Sequence, residues 1–412
     1  MSRFLFVVLP LAGHVIPAGA VANALAERGH EVAWVSSEAR LRPWLGQDAT
    51  VYSTGMRLFR GRSDTGMAAV KSLWASFLVP FARFSLPAVE KAVEAYRPDV
   101  LVVDQHALAG ALAAQRHGLP WATLCTSPME LAQPFRMMPK VDTWIRGQLA
   151  TLSAAAGPPD AAGPPDAAGP PDAGGPPDAG GPPGGAPADL RFSPYLVLAL
   201  TSRVLTGDLV FPDHYVLVGP ALSARPATEG FPWDRLDPAR RHVLVTVGTL
   251  AEDVAAEATD FYVRAVDALR PLGDRVQGIV LAPEQAVPDP PEHVMIVPRI
   301  PQLELMPRLD AVVCHGGQNT VCEALSQGVP LVIAPITRDQ PITAAQVAAA
   351  GAGVRVSFGR VTPDQLRAAV TAVLDEPAYR AAARRVRDSF ADAGGAPAAA
   401  GHLERLARRR AG

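Results

Sequence analysis

The chain has 412 residues, 49% of them hydrophobic and 19% charged, with a formal charge of -2. That length accommodates two or three domains, each with its own core, and the composition excludes a disordered chain. The near-neutral charge offers no general attraction to nucleic acid or an anionic membrane surface. Three cysteines, Cys125, Cys314 and Cys322, make no disulfide framework and imply a reducing, cytoplasmic compartment.

In chain order, the first apolar run, 4–9, predicts a strand. Gly13, His14 and Pro17 interrupt it before a helix over 17–28 and a strand over 32–36. This strand–loop–helix–strand unit excludes a secretory leader, although Arg3 and Ala20-Val21-Ala22 resemble parts of one. Further strands are expected at 100–103 and 121–124, alternating with helices at 87–96 and 108–117. Apolar, two-sided strands in such alternation predict a parallel sheet covered on both faces. Val70, Leu73, Trp74, Phe77, Leu78, Phe81 and Phe84 form a stripe at helical spacing, with a kink expected at Pro80. Such a stripe suits a core face or the wall of an apolar pocket. No run of about twenty apolar residues predicts membrane insertion.

Residues 157–187 repeat GPPDAA and GPPDAG with a six-residue period. Pro and Gly at that density form neither helix nor sheet and bury little, so an insert in a surface loop is expected. The Pro-rich stretch 207–240 lacks helical periodicity and reads as a linker. Beyond it, strands near 242–247, 277–281, 293–297, 310–314, 329–333 and 353–356 alternate with helices and predict a second doubly wound domain. The expected boundaries are 1–206, a linker over 207–240, 241–390, and a terminal segment 391–412 with a helix near 402–410.

Residues 315–340 read HGGQNTVCEALSQGVPLVIAPITRDQ. A strand (Ala311-Val312-Val313-Cys314) runs into His315, Gly316 and Gly317, and then into an apolar helix opened by Asn319 and Thr320. Two glycines before a helix N-terminus let backbone N–H groups approach a ligand, and the helix dipole favours an anion there. Asn319 or Thr320 suits the cap. Glu323 lies four residues beyond Asn319 on the same helix face. A phosphate at the helix mouth with a carboxylate one turn deeper fits a nucleoside diphosphate, its ribose hydroxyls on the acid.

His14, in LAGHVIP, follows the first strand, and Asp104 follows the strand 100–103. Both stand at the carboxyl rim of a sheet, where ligands bind in open α/β folds. An imidazole there can take a proton from an attacking hydroxyl, with a carboxylate to fix its tautomer. The competing readings are a helix-capping loop role for His14 and an N-cap role for Asp104 at a helix starting near Ala107. His106, two residues further on, is expected to point elsewhere.

The stretch 315–340 resembles the donor-binding signature of family 1 glycosyltransferases, which include plant secondary-product enzymes and bacterial antibiotic and macrolide enzymes. The matching letters are HGG-x-NT, Glu323, Gly328-Val329-Pro330, Pro335 and Asp339-Gln340, with Pro301-Gln302 at the upstream start. The resemblance implies the GT-B form of the α/β class: two Rossmann-like doubly wound parallel-sheet domains facing across a cleft, with a terminal helix crossing back onto the first. It further implies an inverting transferase that needs neither metal nor cofactor. A UDP- or TDP-sugar would be co-substrate and a small lipophilic hydroxylated molecule the acceptor.

On this resemblance His14 and Asp104 are the catalytic pair. Thr249, Arg299, Ile300, Gln302, His315, Gly316, Gly317, Asn319, Thr320, Glu323, Asp339 and Gln340 bind the donor, the last two on sugar hydroxyls. Arg299 replaces the plant tryptophan that stacks on the base, and a guanidinium plane can do the same. Arg338 stands where a small residue is usual. Trp74, Phe77, Phe81 and Met129 are the acceptor-site candidates. A nucleotide-sugar 2-epimerase of the same fold and a non-catalytic helper are the alternatives; oligomeric state is left open.

Overall fold

The computed structural model describes residues 1–55, 66–135, 138–155, 189–223, 230–248 and 255–411. Thr249 and the 157–187 repeat lie outside these residues.

The first lobe is built on seven parallel strands: β1 (Arg3–Val7), β2 (Glu31–Ser36), β3 (Thr50–Ser53), β4 (Val100–Asp104), β5 (Trp121–Cys125), β6 (Val197–Ala199) and β7 (Tyr215–Leu217), in the order β3-β2-β1-β4-β5-β6-β7. The second carries β8 (Arg241–Thr246), β9 (Val276–Leu281), β10 (Val294–Val297), β11 (Ala311–Cys314), β12 (Leu331–Ile333) and β13 (Gly353–Arg355), again all parallel, in the order β10-β9-β8-β11-β12-β13. In each sheet the winding reverses beside the first strand, between β1 and β4 and between β8 and β11. Such a reversal leaves a crevice at the carboxyl ends of the strands.

The period-two alternation of side chains divides each lobe into two cores. Leu5 and Val7 of β1 join Leu101, Val103 and Trp74 on one face, while Phe4 and Phe6 join Val100, Val102 and the C-terminal helix on the other. The second sheet separates likewise, with Leu244, Val312 and Cys314 on one face and Val243, Val245 and Val313 on the other. All three cysteines are buried and unpaired, as core residues.

Three strands were not expected. β3 is a half-exposed edge strand, and β6 and β7 have three residues each, too short to show a period. β7 lies inside the expected linker, so the first lobe runs on to Leu217 rather than ending at 206. The helix after β1 spans Ala12–Ala26 and contains Pro17, which places His14 in its first turn rather than in a preceding loop. The stripe 70–84 lies in one continuous helical stretch, Gly66–Tyr96, long and apolar enough to cross a membrane. Here Trp74, Leu78, Val79 and Phe81 of that stretch lie in the first-lobe core. Its irregularity is a π-helical segment, Ser72–Leu78, just before Pro80.

The last two helices join the lobes. Pro377–Ala393 packs in the second lobe, and Gly394 (φ 84°) ends it. Gly395–Ala411 then returns to the first lobe and packs on the Ala12–Ala26 helix. Ala399, Ala400 and Leu403 are fully buried there, and Arg28 and His30 both reach Glu404. The turn between these two helices falls at Gly394.

Candidate active site

The first-lobe crevice holds three side chains in mutual hydrogen-bond contact. His14 Nδ1 lies 2.7 Å from Asp104 Oδ2, and Thr126 Oγ1 lies 2.8 Å from that nitrogen and 2.7 Å from that oxygen. His14 comes from the helix after β1, Asp104 ends β4, and Thr126 follows β5, so three neighbouring strand ends supply the cluster. An ionised carboxylate only accepts, so Nδ1 carries the hydrogen and Nε2 keeps its lone pair. The His14 side chain is 15% exposed and that of Asp104 fully buried, so of the two it is His14 that meets solvent.

Burial opposes charge on His14, and the Asp104 carboxylate outweighs it, holding the imidazole above its ordinary value of 6.5. Burial likewise opposes charge on Asp104, and the imidazole outweighs it, keeping the carboxyl below its ordinary value. Asp104 does not cap the helix at Leu108–Arg116, whose N-cap is Ala107. Its Oδ1 accepts instead from the backbone N–H of His106 at 2.9 Å.

His106 does not point elsewhere. Its ring centroid lies 5.7 Å from that of His14, and burial pushes its pKa down to about 4, so it is neutral near pH 7. His14, Asp104 and His106 each offer a metal-ligating atom, all within 4.8 Å of one another. A divalent ion bound by all three would compete for the Asp104 oxygens that now accept from His14, Thr126 and the His106 backbone.

In the second lobe, β11 runs into His315-Gly316-Gly317, and the helix Gln318–Ser326 starts at once with Gly317 as N-cap. Neither Asn319 nor Thr320 caps it; both already lie in its first turn, half-buried and buried respectively. His315 is buried, its Nδ1 has no hydrogen-bond partner, and burial pushes its pKa down to about 4. Its ring is held between two glycines. A Cβ at Gly248 would come within 2.5 Å of His315 Cε1, and one at Gly317 within 2.5 Å of His315 Nε2. Gly248, at the end of the β8 turn, was not singled out in the sequence. The close approach explains why it is glycine.

One turn into the same helix, Glu323 is buried and accepts from Gln302 Nε2, which also contacts Thr320 Oγ1 at 3.4 Å. The three residues therefore form one cluster. Arg299 is exposed beside it in sequence, whereas Ile300 is 9% exposed and belongs to the second-lobe core, which leaves its backbone rather than its side chain for a ligand. Gln340 is also buried, and its Oε1 accepts from the backbone N–H groups of Ile336 and Thr337, fixing the loop that carries Asp339. The pair expected to face sugar hydroxyls is thus divided: Asp339 faces the cleft and the Gln340 amide oxygen is committed to the loop.

The two lobes meet at this point. Ser127 Oγ, on the β5 loop of the first, donates to Asp339 Oδ2 of the second at 2.7 Å. The helices Ala12–Ala26 and Gln318–Ser326 also touch across the crevice. The β5 loop, Thr126-Ser127-Pro128-Met129-Glu130, thus holds the His14–Asp104 pair, the other lobe, and, through Glu130 Oε2 and Arg191 Nη1 at 2.6 Å, the segment after the 157–187 insert. Of these five only Met129 was a candidate, and it is buried.

The expected acceptor aromatics are placed differently. Trp74 and Phe81 are 0% and 6% exposed within the first-lobe core, and Phe77 packs against the same cluster. Their helical spacing defines the inward face of a long helix, not the wall of a cleft. An apolar groove of about 490 Å³ opens elsewhere, between the lobes, and its lining includes Ala132, Pro134, Leu205, Pro341 and Ile342.

Residues 269–406 match the family model described as erythromycin biosynthesis protein CIII-like, C-terminal domain. The chain is 30% identical over 415 residues to 4'-demethylrebeccamycin synthase of Lentzea aerocolonigenes, covering 95% of this chain and 96% of that one. It is 29% identical to the elloramycin glycosyltransferase of Streptomyces olivaceus, covering 94% and 93%. Its fold superposes on the spinosyn rhamnosyltransferase complexed with thymidine diphosphate with a TM-score of 0.74 at 21% identity, covering 98% of this chain and all of that one.

Proposed function

Because the chain belongs to the GT-B glycosyltransferases of natural-product biosynthesis, we propose that it moves a sugar from a UDP- or TDP-sugar to a hydroxyl of a lipophilic small molecule, with inversion and with His14 as general base. The observation that carries this reading is the orientation of His14. Its Nδ1 is engaged by Asp104 and Thr126, and its helix touches the helix of the anion cradle.

In this reading an acceptor hydroxyl gives its proton to His14 Nε2 as its oxygen bonds to the anomeric carbon. The bond from that carbon to the diphosphate oxygen breaks, and the leaving group carries the electron pair away. Asp104 stabilises the imidazolium so formed. Charge growing on the diphosphate meets the N-terminus of the helix Gln318–Ser326, a neutral His315 with an unpaired Nδ1, and the Thr320 hydroxyl. Glu323 and Gln302 would take the ribose, and Arg299 would stack on the base. Asp339 would bind a sugar hydroxyl. Thymidine diphosphate in the spinosyn enzyme favours a TDP-sugar as the first donor to test.

The reading is tested by incubating the protein with labelled UDP- and TDP-sugars, with and without a panel of hydroxylated aglycones. Acceptor-dependent release of the nucleotide, with an inverted glycoside as product, is the expected result. A sugar epimerised without net release would support the 2-epimerase reading, and binding without turnover the helper.

A further inference from the structure

We propose that Thr126 and Ser127 form a two-residue linkage through which the sugar-binding lobe sets the orientation of the base: Thr126 positions His14, and Ser127, bonded to Asp339, positions Thr126.

The geometry of Thr126 is specific. Its hydroxyl hydrogen goes to Asp104 Oδ2 at 2.7 Å, since a carboxylate cannot donate, and this turns an oxygen lone pair towards His14 Nδ1 at 2.8 Å. The Nδ1–H of His14 is thus shared between two oxygens, and the ring is fixed from two directions rather than one. A carboxylate alone leaves an imidazole free to tilt about a single hydrogen bond. The second contact narrows that freedom in the plane that aims Nε2.

Ser127 is the next residue and faces the other lobe. Its Oγ accepts from the Met129 backbone N–H at 3.2 Å and donates to Asp339 Oδ2 at 2.7 Å. Ser127 is also held within the first lobe, where its carbonyl accepts from Gln105 Nε2 at 3.1 Å. With one peptide unit between the two side chains, the bond to Asp339 adds a second anchor next to Thr126. The charged and titratable groups that bear on His14 are Asp104 on β4, His106 just beyond it, and Asp339 and Arg338 from the second lobe. Thr126 acts on His14 both directly and through the first of these. Nothing in the sequence draws attention to Thr126 or Ser127. The catalytic meaning of the linkage rests on His14 being the base, whereas the linkage itself does not, and its test is chosen to need no turnover.

The experiment is an NMR titration of His14 in the full-length protein, its signal assigned among the nine histidines by its loss in His14→Gln. Thr126→Val keeps the side-chain shape and removes the hydroxyl: His14 loses a neutral acceptor, but Asp104 Oδ2 is left unshared, and the stronger bond to the ionised acceptor outweighs that loss. The His14 titration should then move to higher pH, and Thr126→Ser should restore it. Ser127→Ala should move it in the same direction. Because Asp339 itself bears on His14, the same change is made in Thr126→Val, where it should move the titration no further. A shift that persists there is a direct effect of Asp339 and overturns the linkage. Where transfer is measurable, Thr126→Val should lower kcat by about tenfold, the worth of one hydrogen bond, with donor KM little changed.

A titration unmoved in a folded Thr126→Val overturns the positioning role. Movement in Thr126→Val but none in Ser127→Ala overturns the link to Asp339. Absence of transferase activity, with both shifts present, would count against the proposed function and leave the linkage standing.

Discussion

His14 Nδ1 and Asp104 Oδ2 lie 2.7 Å apart across two neighbouring strand ends, one at the start of the chain and the other 90 residues later. A base must be neutral to accept a proton, and Asp104 holds the His14 imidazole above its ordinary 6.5. The kcat/KM profile is therefore expected to rise with pH through a value above 6.5. In Asp104→Asn the main stabiliser of the imidazolium is gone while burial still disfavours it, so the rise should move to lower pH. The amide also no longer fixes the tautomer, so the plateau should fall. A pH–rate profile of both proteins checks this. An Asp104→Asn limb at or above that of the wild type would contradict the assignment.

Removing the proposed base should separate chemistry from binding. His14→Ala is expected to lower kcat by about two to four orders of magnitude. Donor affinity, measured by calorimetry with the nucleoside diphosphate, should change little, because His315, Glu323 and Gln302 lie on the other lobe. Turnover near wild type would remove His14 from the mechanism.

The glycine walls of His315 predict a donor-binding defect from a single methyl group. Gly248→Ala would bring a Cβ within 2.5 Å of His315 Cε1, at a residue whose φ is +66°. The ring must then leave its seat, or the turn must refold. A cost of about 1–3 kcal/mol corresponds to a fall in nucleotide affinity of about fivefold to more than a hundredfold, with the rest of the lobe folded. Calorimetry of diphosphate binding and a crystal structure of the variant both report on it.

The meeting of His14 and Asp104 was legible because its logic is local: Asp104 ends an apolar strand, His14 follows one at the start of the next helix, and strand ends in a parallel sheet share a rim. The strand–glycine–helix turn was legible for the same reason, since strand, glycines and helix start are contiguous from Ala311 to Ser326. Thr126 and Ser127 were not, because their partners lie 112 and 212 residues away and no local pattern marks a turn hydroxyl. Trp74 and Phe81 show a different limit. Helical spacing states which residues share a face, not whether that face meets a core or a cleft, and here it meets the core. β6 and β7 escaped notice because three-residue strands carry less period than the noise around them.

Glu323 gives a prediction about the ribose. It is buried at 1% exposure, with Gln302 Nε2 donating to Oε2. Glu323→Gln keeps the shape and removes the charge that would accept from ribose hydroxyls, at about 1.5–3 kcal/mol for a hydrogen bond to a charged group. Donor KM should rise by about tenfold or more, with kcat for saturating donor far less affected. An equal fall in kcat at unchanged KM would place Glu323 in the chemical step instead.

The terminal helix predicts a stability effect remote from the chemistry. Leu403 is fully buried against the face of the first sheet that holds Phe4, Phe6 and Val102, and its helix packs on the one that carries His14. Leu403→Ala deletes buried methyl groups and leaves a cavity, at a cost of about 2–5 kcal/mol. Because Gly395–Ala411 follows the second-lobe helix after the turn at Gly394, the loss should appear in the first lobe although the mutated residue lies at the end of the chain. Hydrogen exchange should quicken in Ala12–Ala26 and β1 while β8 to β13 keep their protection. Uniform quickening of both lobes would show instead that they unfold as one unit.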